Sequence, residues 1–188
     1  MGQKTEVLTL VGLPGSGKST VGRHLARRWG VSLVDSDHVI EQRLGTSIRD
    51  FFASHGEEAF RDLEQQVLDE LTAQGQGRCI LATGGGAVLR TANRRHLHER
   101  STVFYLKASP EELLHRLRND KVRPLLQVAN PGQRLRELFA QRDPLYAQTA
   151  HYTIDSARLS ASQLVHRVGM QAEMAGLLMS QQMPLGGD

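Results

Sequence analysis

The stretch Gly12–Thr20, GLPGSGKST, directly after the apolar run VLTLV, constrains this chain more than any other. It fits the pattern G-x-x-x-x-G-K-[ST] without a mismatch, and it leaves a strand pattern to enter a helical one, as that motif requires. Glycines let successive backbone N–H groups converge on phosphates at the positive end of the following helix. Gly15, Ser16, Gly17, Lys18, Ser19 and Thr20 are therefore the expected phosphate cradle, with Lys18 reaching the terminal phosphates and Ser19 placed to ligate Mg²⁺. A nucleoside triphosphate site follows. Whether the phosphate is transferred, hydrolysed or only sensed does not.

Five short runs rich in β-branched residues punctuate the sequence: VLTLVG, VSLVD, RCILATG, TVFYLKA and HYTID. Between them lie stretches of helical period. Val21, Leu25 and Trp29 fall four apart, with Gly30 as a stop. Phe60, Leu63, Val67 and Leu71 repeat at three and four, with Gly75 closing that helix. Ser109, Pro110, Glu111 and Glu112 make a helix start. Strands alternating with helices imply a parallel sheet covered on both faces, whose ligands gather at the carboxyl ends of its strands.

Composition narrows the class. The 188 residues suit one packed domain, expected over residues 1–175, with 176–188 a flexible tail. No apolar run approaches the roughly 20 residues of a membrane-spanning helix, and the N-terminus shows no signal-peptide pattern. Glu6 stands where a myristoylation signal needs Ser or Thr. A lone cysteine, Cys79, expected to be buried, fits a reducing cytoplasm. Of the 23 basic residues 19 are arginines, which suits bidentate binding of oxyanions. They are scattered among acids and accompany no nucleic-acid reading module, so no nucleic-acid partner is expected. The densest cluster, Arg90–Arg100, reads as a solvated helix face with His96 and His98 exposed.

Magnesium on a nucleotide wants a carboxylate nearby. The third strand ends CILATGGG, without an acid. The acids stand instead in VDSDH: Asp35 and Asp37, two apart and so projecting together from an extended chain. One can serve the metal while the other takes a proton from an acceptor hydroxyl. Asn119–Gly132 lacks periodicity and reads as a lid of about residues 119–132.

Taken together, GLPGSGKST, VDSD, GEEAFRDLE, ATGGGAVL, VRPLL and RDPLY resemble shikimate kinase, in matching order and spacing from about Val7 to Asp155. The resemblance implies a P-loop, nucleoside-monophosphate-kinase-like three-layer α/β fold with a five-stranded parallel sheet and a mobile lid. It implies a cytoplasmic, monomeric enzyme that uses ATP and Mg²⁺ to phosphorylate the 3-hydroxyl of shikimate. By the same resemblance Asp37 binds the acceptor hydroxyl and acts as its base, and Asp35 organises magnesium. Arg61 and Arg142 clamp the substrate carboxylate, Gly84, Gly85 and Gly86 approach its ring, and Arg123 closes over the transferring phosphate. Arg116 and Arg158 correspond to side chains packed on adenine. Leu13 and Pro14 depart from the commoner Met-Gly-Ala-Gly loop, and SIRDFF varies at expected surface sites; no residue with a chemical assignment is lost. Read from the residues alone, Arg61 among Glu57, Glu58 and Glu64 fits surface ion pairs equally well. Another small-molecule kinase, of gluconate or a nucleoside monophosphate, and a non-catalytic ATP-binding module remain the rivals.

Overall fold

A computed structural model describes residues 7–73, 77–118 and 128–177 of the chain. Five parallel strands form one sheet: β1 (Val7–Val11), β2 (Ser32–Asp35), β3 (Cys79–Ala82), β4 (Thr102–Lys107) and β5 (Tyr152–Asp155). The strand order is β2-β3-β1-β4-β5, so the chain leaves central β1 toward one edge and later returns to fill the other. The crevice beyond the carboxyl end of β1 lies where that reversal happens, the usual ligand position of an open parallel sheet.

Seven helices cover the sheet: α1 (Lys18–Trp29), α2 (Ser36–Leu44), α3 (Ile48–Leu71), α4 (Thr91–Arg100), α5 (Pro110–Leu117), α6 (Pro131–Thr149) and α7 (Ala161–Met174). Strand alternation sorts them into two layers. Leu8 and Leu10 of β1 share a core with Val21, Leu25 and Trp29 of α1 and with Leu164 and Val168 of α7. Val7 and Val11 face the other way, into a core with Leu97 of α4, Leu113 of α5 and Leu135, Leu138 and Tyr146 of α6. Three layers result, the central one buried on both sides, which is why the strands read as continuous apolar runs.

Two departures from the sequence reading matter for the site. VSLVD does not stay extended through both acids: the strand ends at Asp35, whose carboxylate accepts from the Asp37 and His38 N–H groups and starts α2 at once. Asp37 is therefore a first-turn helix residue, and the two acids do not share a strand face. The helix carrying Phe60 begins well before Glu57. Ser47 caps it, and Gly56, at φ 83°, breaks its regular geometry and redirects the chain. Its first half holds SIRDFF, which is not a surface segment: Ile48, Phe51 and Phe52 pack against Ile40, Phe60 and Val67. The helix ends at Leu71, with the Thr72 hydroxyl on Leu68 O; Gly75 lies outside the described residues.

Three further expectations shift. Pro131 and Gly132, placed at the end of a lid, open α6 behind an Asn130 cap, and residues 119–127 lie outside the described residues. His98 is exposed, but His96 is tucked toward Asp69, its side chain 13% exposed. Cys79 is half-buried. The helix start expected at Ser109 is present, and the structure makes it a capping box with Glu112 as its second member.

α1 packs tightly on the sheet at Gly22. A Cβ there would stand 2.8 Å from Leu33 Cδ1 and 3.5 Å from Leu10 Cδ1. Gly22→Val is expected to overpack this contact and lower stability by about 2 kcal/mol, read as a shift of the urea midpoint.

Candidate functional site

The phosphate end of the site is built locally. Gly12 follows β1 and has no room for a side chain: a Cβ would fall 2.7 Å from both Leu106 O and Ser16 Oγ. Ser16 N–H turns back to Leu13 O at 3.1 Å, rounding the loop over the start of α1. α2, α3, α5, α6 and α7 are each capped by a side chain. α1 has none on its cap Gly17 and no acid in its first turn. Its first N–H groups and positive dipole end are left for an anion. Lys18 folds back over the loop, donating to Gly12 O at 2.7 Å and Leu13 O at 2.9 Å.

A cleft of about 440 Å³ joins this loop to the acid pair. Pro14, Gly15, Gly17, Lys18, Ser19 and Thr20 line one side, and Asp35, Asp37, Thr83, Gly84 and Gly85 the other. The Ser19 hydroxyl and the Asp35 carboxylate thus share a cleft as hard oxygen donors, the type Mg²⁺ selects. Among the described residues no group of three or more His, Cys, Asp or Glu could hold a metal, so any magnesium here takes the rest of its shell from phosphate and water. Arg116 edges the same cleft, with Nη1 3.4 Å from Gly15 O and Nη2 donating to Ser156 Oγ at 3.1 Å. Arg158, in left-handed backbone at φ 59°, lines an adjoining hollow with Arg116, His115 and Ser156.

The Gly84–Gly86 turn after β3 is where the remote pieces meet. A Cβ on Gly84 would fall 2.5 Å from Asp37 Oδ1, and one on Gly85 3.3 Å from Arg142 Nη1. One on Gly86 would collide with the Arg61 guanidinium. Each glycine has a charged side chain from α2, α6 or α3 against it, and Gly85 also meets Pro14 of the phosphate loop, whose Cδ would stand 3.0 Å from a Cβ. The sequence reading expected close approach by a ligand; the structure adds close approach by the protein itself.

Arg61 settles the choice left open by its acidic neighbours. It is buried, and its Nη1 donates to Glu64 Oε1 at 2.6 Å, with the Glu64 side chain 1% exposed. Glu57 is a weaker contact at 3.5 Å. The surface-pair reading fails because α3 turns this face inward against the glycine turn. The Nε atoms of Arg61 and Arg142 are both buried without a hydrogen-bond partner, although Arg61 Nε has the Glu57 carboxylate 3.5 Å away. Burial pushes the Glu64 carboxyl above its usual range, and Arg61 pulls the other way.

The structure therefore brings together Lys18, Ser19, Asp35, Asp37, Arg61, Gly84, Gly85, Gly86 and Arg142, with Arg116 and Arg158 beside the cleft. Arg123 lies outside the described residues. Two residues of the site went unread in the sequence. Glu64 stands three residues after Arg61, a spacing that marks an ion pair but not its burial. Tyr146 stands four after Arg142, and Pro144 between them hides the helix that puts both on one face.

Comparisons with known proteins converge. The family model described as shikimate kinase matches residues 14–173. A shikimate kinase of Paracidovorax citrulli is 58% identical over 169 residues, 89% of this chain and 92% of its own length. One of Ralstonia nicotianae is 52% identical over 168 residues, 89% and 87% of the two chains. A solved shikimate kinase from Acinetobacter baumannii in complex with shikimate superposes with a TM-score of 0.82 at 44% identity, covering 93% of this chain and 95% of that one.

Asp37 is held at a cost. Burial, then the neighbouring Asp35 and Glu64 charges, push its carboxyl up to about 6, against the pull of Lys18. The folded state thus binds this proton more tightly than the unfolded chain. Stability falls as pH rises from near 4 through 6, by roughly 3 kcal/mol in all, and stays low above that. Asp37→Asn is expected to raise the melting temperature of the ligand-free, metal-free protein at pH 7.5 by about 5 °C. The gain should vanish below pH 4, as a pH series of thermal melts will show.

Proposed function

The chain belongs to the shikimate kinase family, and on that premise we propose how its residues divide the transfer of a phosphoryl group from ATP to the 3-hydroxyl of shikimate. Phosphoryl transfer asks for positioning and charge stabilisation more than covalent chemistry. The observation that carries the reading is the single cleft in which the Asp37 carboxylate, laid on Gly84, faces the loop of Lys18.

At one end, Gly15, Ser16, Gly17, Thr20 and the start of α1 hold the triphosphate by backbone N–H groups, and Lys18 exchanges its loop carbonyls for phosphate oxygens. Ser19 and Asp35 would hold Mg²⁺. When bound, the ion supplies charge neutralisation on the phosphates. One Asp35 oxygen is engaged as the cap of α2, which fixes the carboxylate's direction. Arg116 and Arg158 flank the nucleoside, supported by their shared hollow beside the phosphate cleft.

At the other end, Asp37 accepts the hydrogen bond of the acceptor hydroxyl and takes its proton as that oxygen attacks. A carboxyl raised to about 6 is a better base than an ordinary aspartate and still ionised at neutral pH. Arg61 and Arg142 receive the acceptor carboxylate, their orientation supported by Glu64 and by the bare glycines beneath them. Arg123 is assigned to the transferring phosphate on the family resemblance. We take residues 1–175 as one domain, with a lid that ends before α6, within 119–130, and a tail from 176, and the enzyme as a cytoplasmic monomer without a nucleic-acid partner. Pairing of surface arginines with acids supports the last point: Arg43 with Glu70, Arg90 with Glu58 and Asp62, Arg100 with Asp69. No helix among the described residues is long and apolar enough to cross a membrane.

A coupled ADP-release assay with ATP and Mg²⁺ should show turnover with shikimate and none with gluconate or nucleoside monophosphates. Turnover on gluconate alone would overturn the acceptor assignment. Asp37→Asn is expected to lower kcat by about 10²–10⁴ while the KM for ATP holds; near-normal turnover would remove Asp37 as the base. Arg61→Ala should act on the other parameter, raising the KM for shikimate by about tenfold or more for one lost charged contact.

A further inference from the structure

Tyr146 has no part in the chemistry above, yet it is fully buried beside the acceptor arginines. Its hydroxyl donates to Gly85 O at 2.5 Å. The carbonyls on either side, Gly84 O and Gly86 O, accept from the N–H groups of Ala87 and Leu89. The middle carbonyl of the glycine turn is thus held by a side chain from α6, sixty-one residues away in sequence. The Arg142 guanidinium lies close enough to draw the phenol's pKa down against the effect of burial. Arg142 in turn passes over Gly85, where no Cβ intrudes.

The ring that carries this hydroxyl is itself fixed. It packs against Tyr105 of β4 at 5.0 Å between centroids, inside the core of that sheet face. Asp143, next along α6, accepts from Tyr105 Oη at 2.7 Å and pairs with Lys107 Nζ at 3.2 Å, tying the helix to β4. The hydroxyl is therefore held with its proton toward Gly85 O. Burial pushes the phenol's pKa up to about 12, so the proton stays in place through the neutral range.

We propose that Tyr146 is a positioning residue for the acceptor, whose hydroxyl sets the spacing between the Gly84–Gly86 turn and Arg142 and so the width of the crevice that admits a small carboxylic acid. The inference rests on the assignment of Arg142 to the acceptor carboxylate. Its physical ground is that Arg142 Nε has no partner, so the terminal nitrogens alone orient the guanidinium. Without the hydroxyl, Gly85 O loses its donor, and Arg142 lies against a residue no longer held in place. The turn that seats Asp37 and Arg61 then has one restraint fewer at its centre. None of these hydrogen bonds runs to the phosphate loop, whose Pro14 meets Gly85 by van der Waals contact alone, so the effect should fall chiefly on one substrate.

Tyr146→Phe keeps the ring and removes the hydroxyl. The expected result is a rise of about tenfold in the KM for shikimate, the worth of one buried hydrogen bond, with the KM for ATP within twofold of the parent. Thr149→Val, which removes a hydroxyl bonded to Leu145 O on the same helix without touching the turn, should lower the melting temperature and leave both KM values in place. Placing 4-aminophenylalanine at position 146 restores an aromatic donor to Gly85 O and should return the KM for shikimate to within threefold of the parent. This arm also keeps the test alive should Tyr146→Phe fail to fold. A Tyr146→Phe enzyme with an unchanged KM for shikimate overturns the proposal. So does an equal rise for both substrates, the same split in Thr149→Val, or a folded 4-aminophenylalanine enzyme whose KM for shikimate is tenfold raised. A parent enzyme without turnover on shikimate would instead overturn the functional reading itself.

Discussion

Three charged side chains crossing one bare turn is the constraint on which the site depends. Gly84, Gly85 and Gly86 carry no Cβ, and against them lie Asp37, Arg142 and Arg61 from three different helices. A methyl group at any of the three would press on a functional group rather than on solvent. The turn works as a common floor that sets the height of a base and two anion-binding arms at once. It follows β3, whose register with β1 runs from Val7 opposite Cys79 to Leu10 opposite Ala82. The floor is thereby tied to the strand that delivers the phosphate loop, with Thr83 N–H and Oγ1 both donating to Leu10 O.

Such a site works against the stability of its fold. Glu64 is a carboxylate taken almost wholly out of water, and Asp37 is largely so, each raised by burial. Two arginines beside them have buried Nε atoms left unbonded. Desolvated charge of this kind is unfavourable unless paired, and only Glu64 with Arg61 is a close pair here. The three-layer core offsets the rest, with Phe104, Tyr105, Leu8, Leu10 and Ile80 fully buried in the sheet itself. An anionic acceptor with a hydroxyl at its far end, bound as proposed, would supply partners for these groups.

The two ends of the cleft are built by different means. The phosphate end is one continuous segment, Gly12–Thr20, shaped by its own turns and by the uncapped start of α1. The acceptor end is assembled from residues 37, 61, 85 and 142, held by an ion pair, a phenol and a helix cap. A lesion in the first should therefore be felt by the nucleotide and a lesion in the second by the acceptor, with Asp37 at the junction of both.

What the sequence determined by itself was everything set by neighbours along the chain. The phosphate loop, all five strands, α1 through to Gly30 and the helix start at Ser109 follow from periodicity, glycine and capping chemistry that act within a few residues. The resemblance added the acceptor residues as positions. Only the tertiary structure decided that Arg61 faces inward onto Glu64 and that α6 runs through Pro144 to bring Tyr146 beside Arg142. Those outcomes turn on which face of a helix the sheet covers. That choice is made by packing between segments dozens of residues apart, and no local pattern of side chains encodes it.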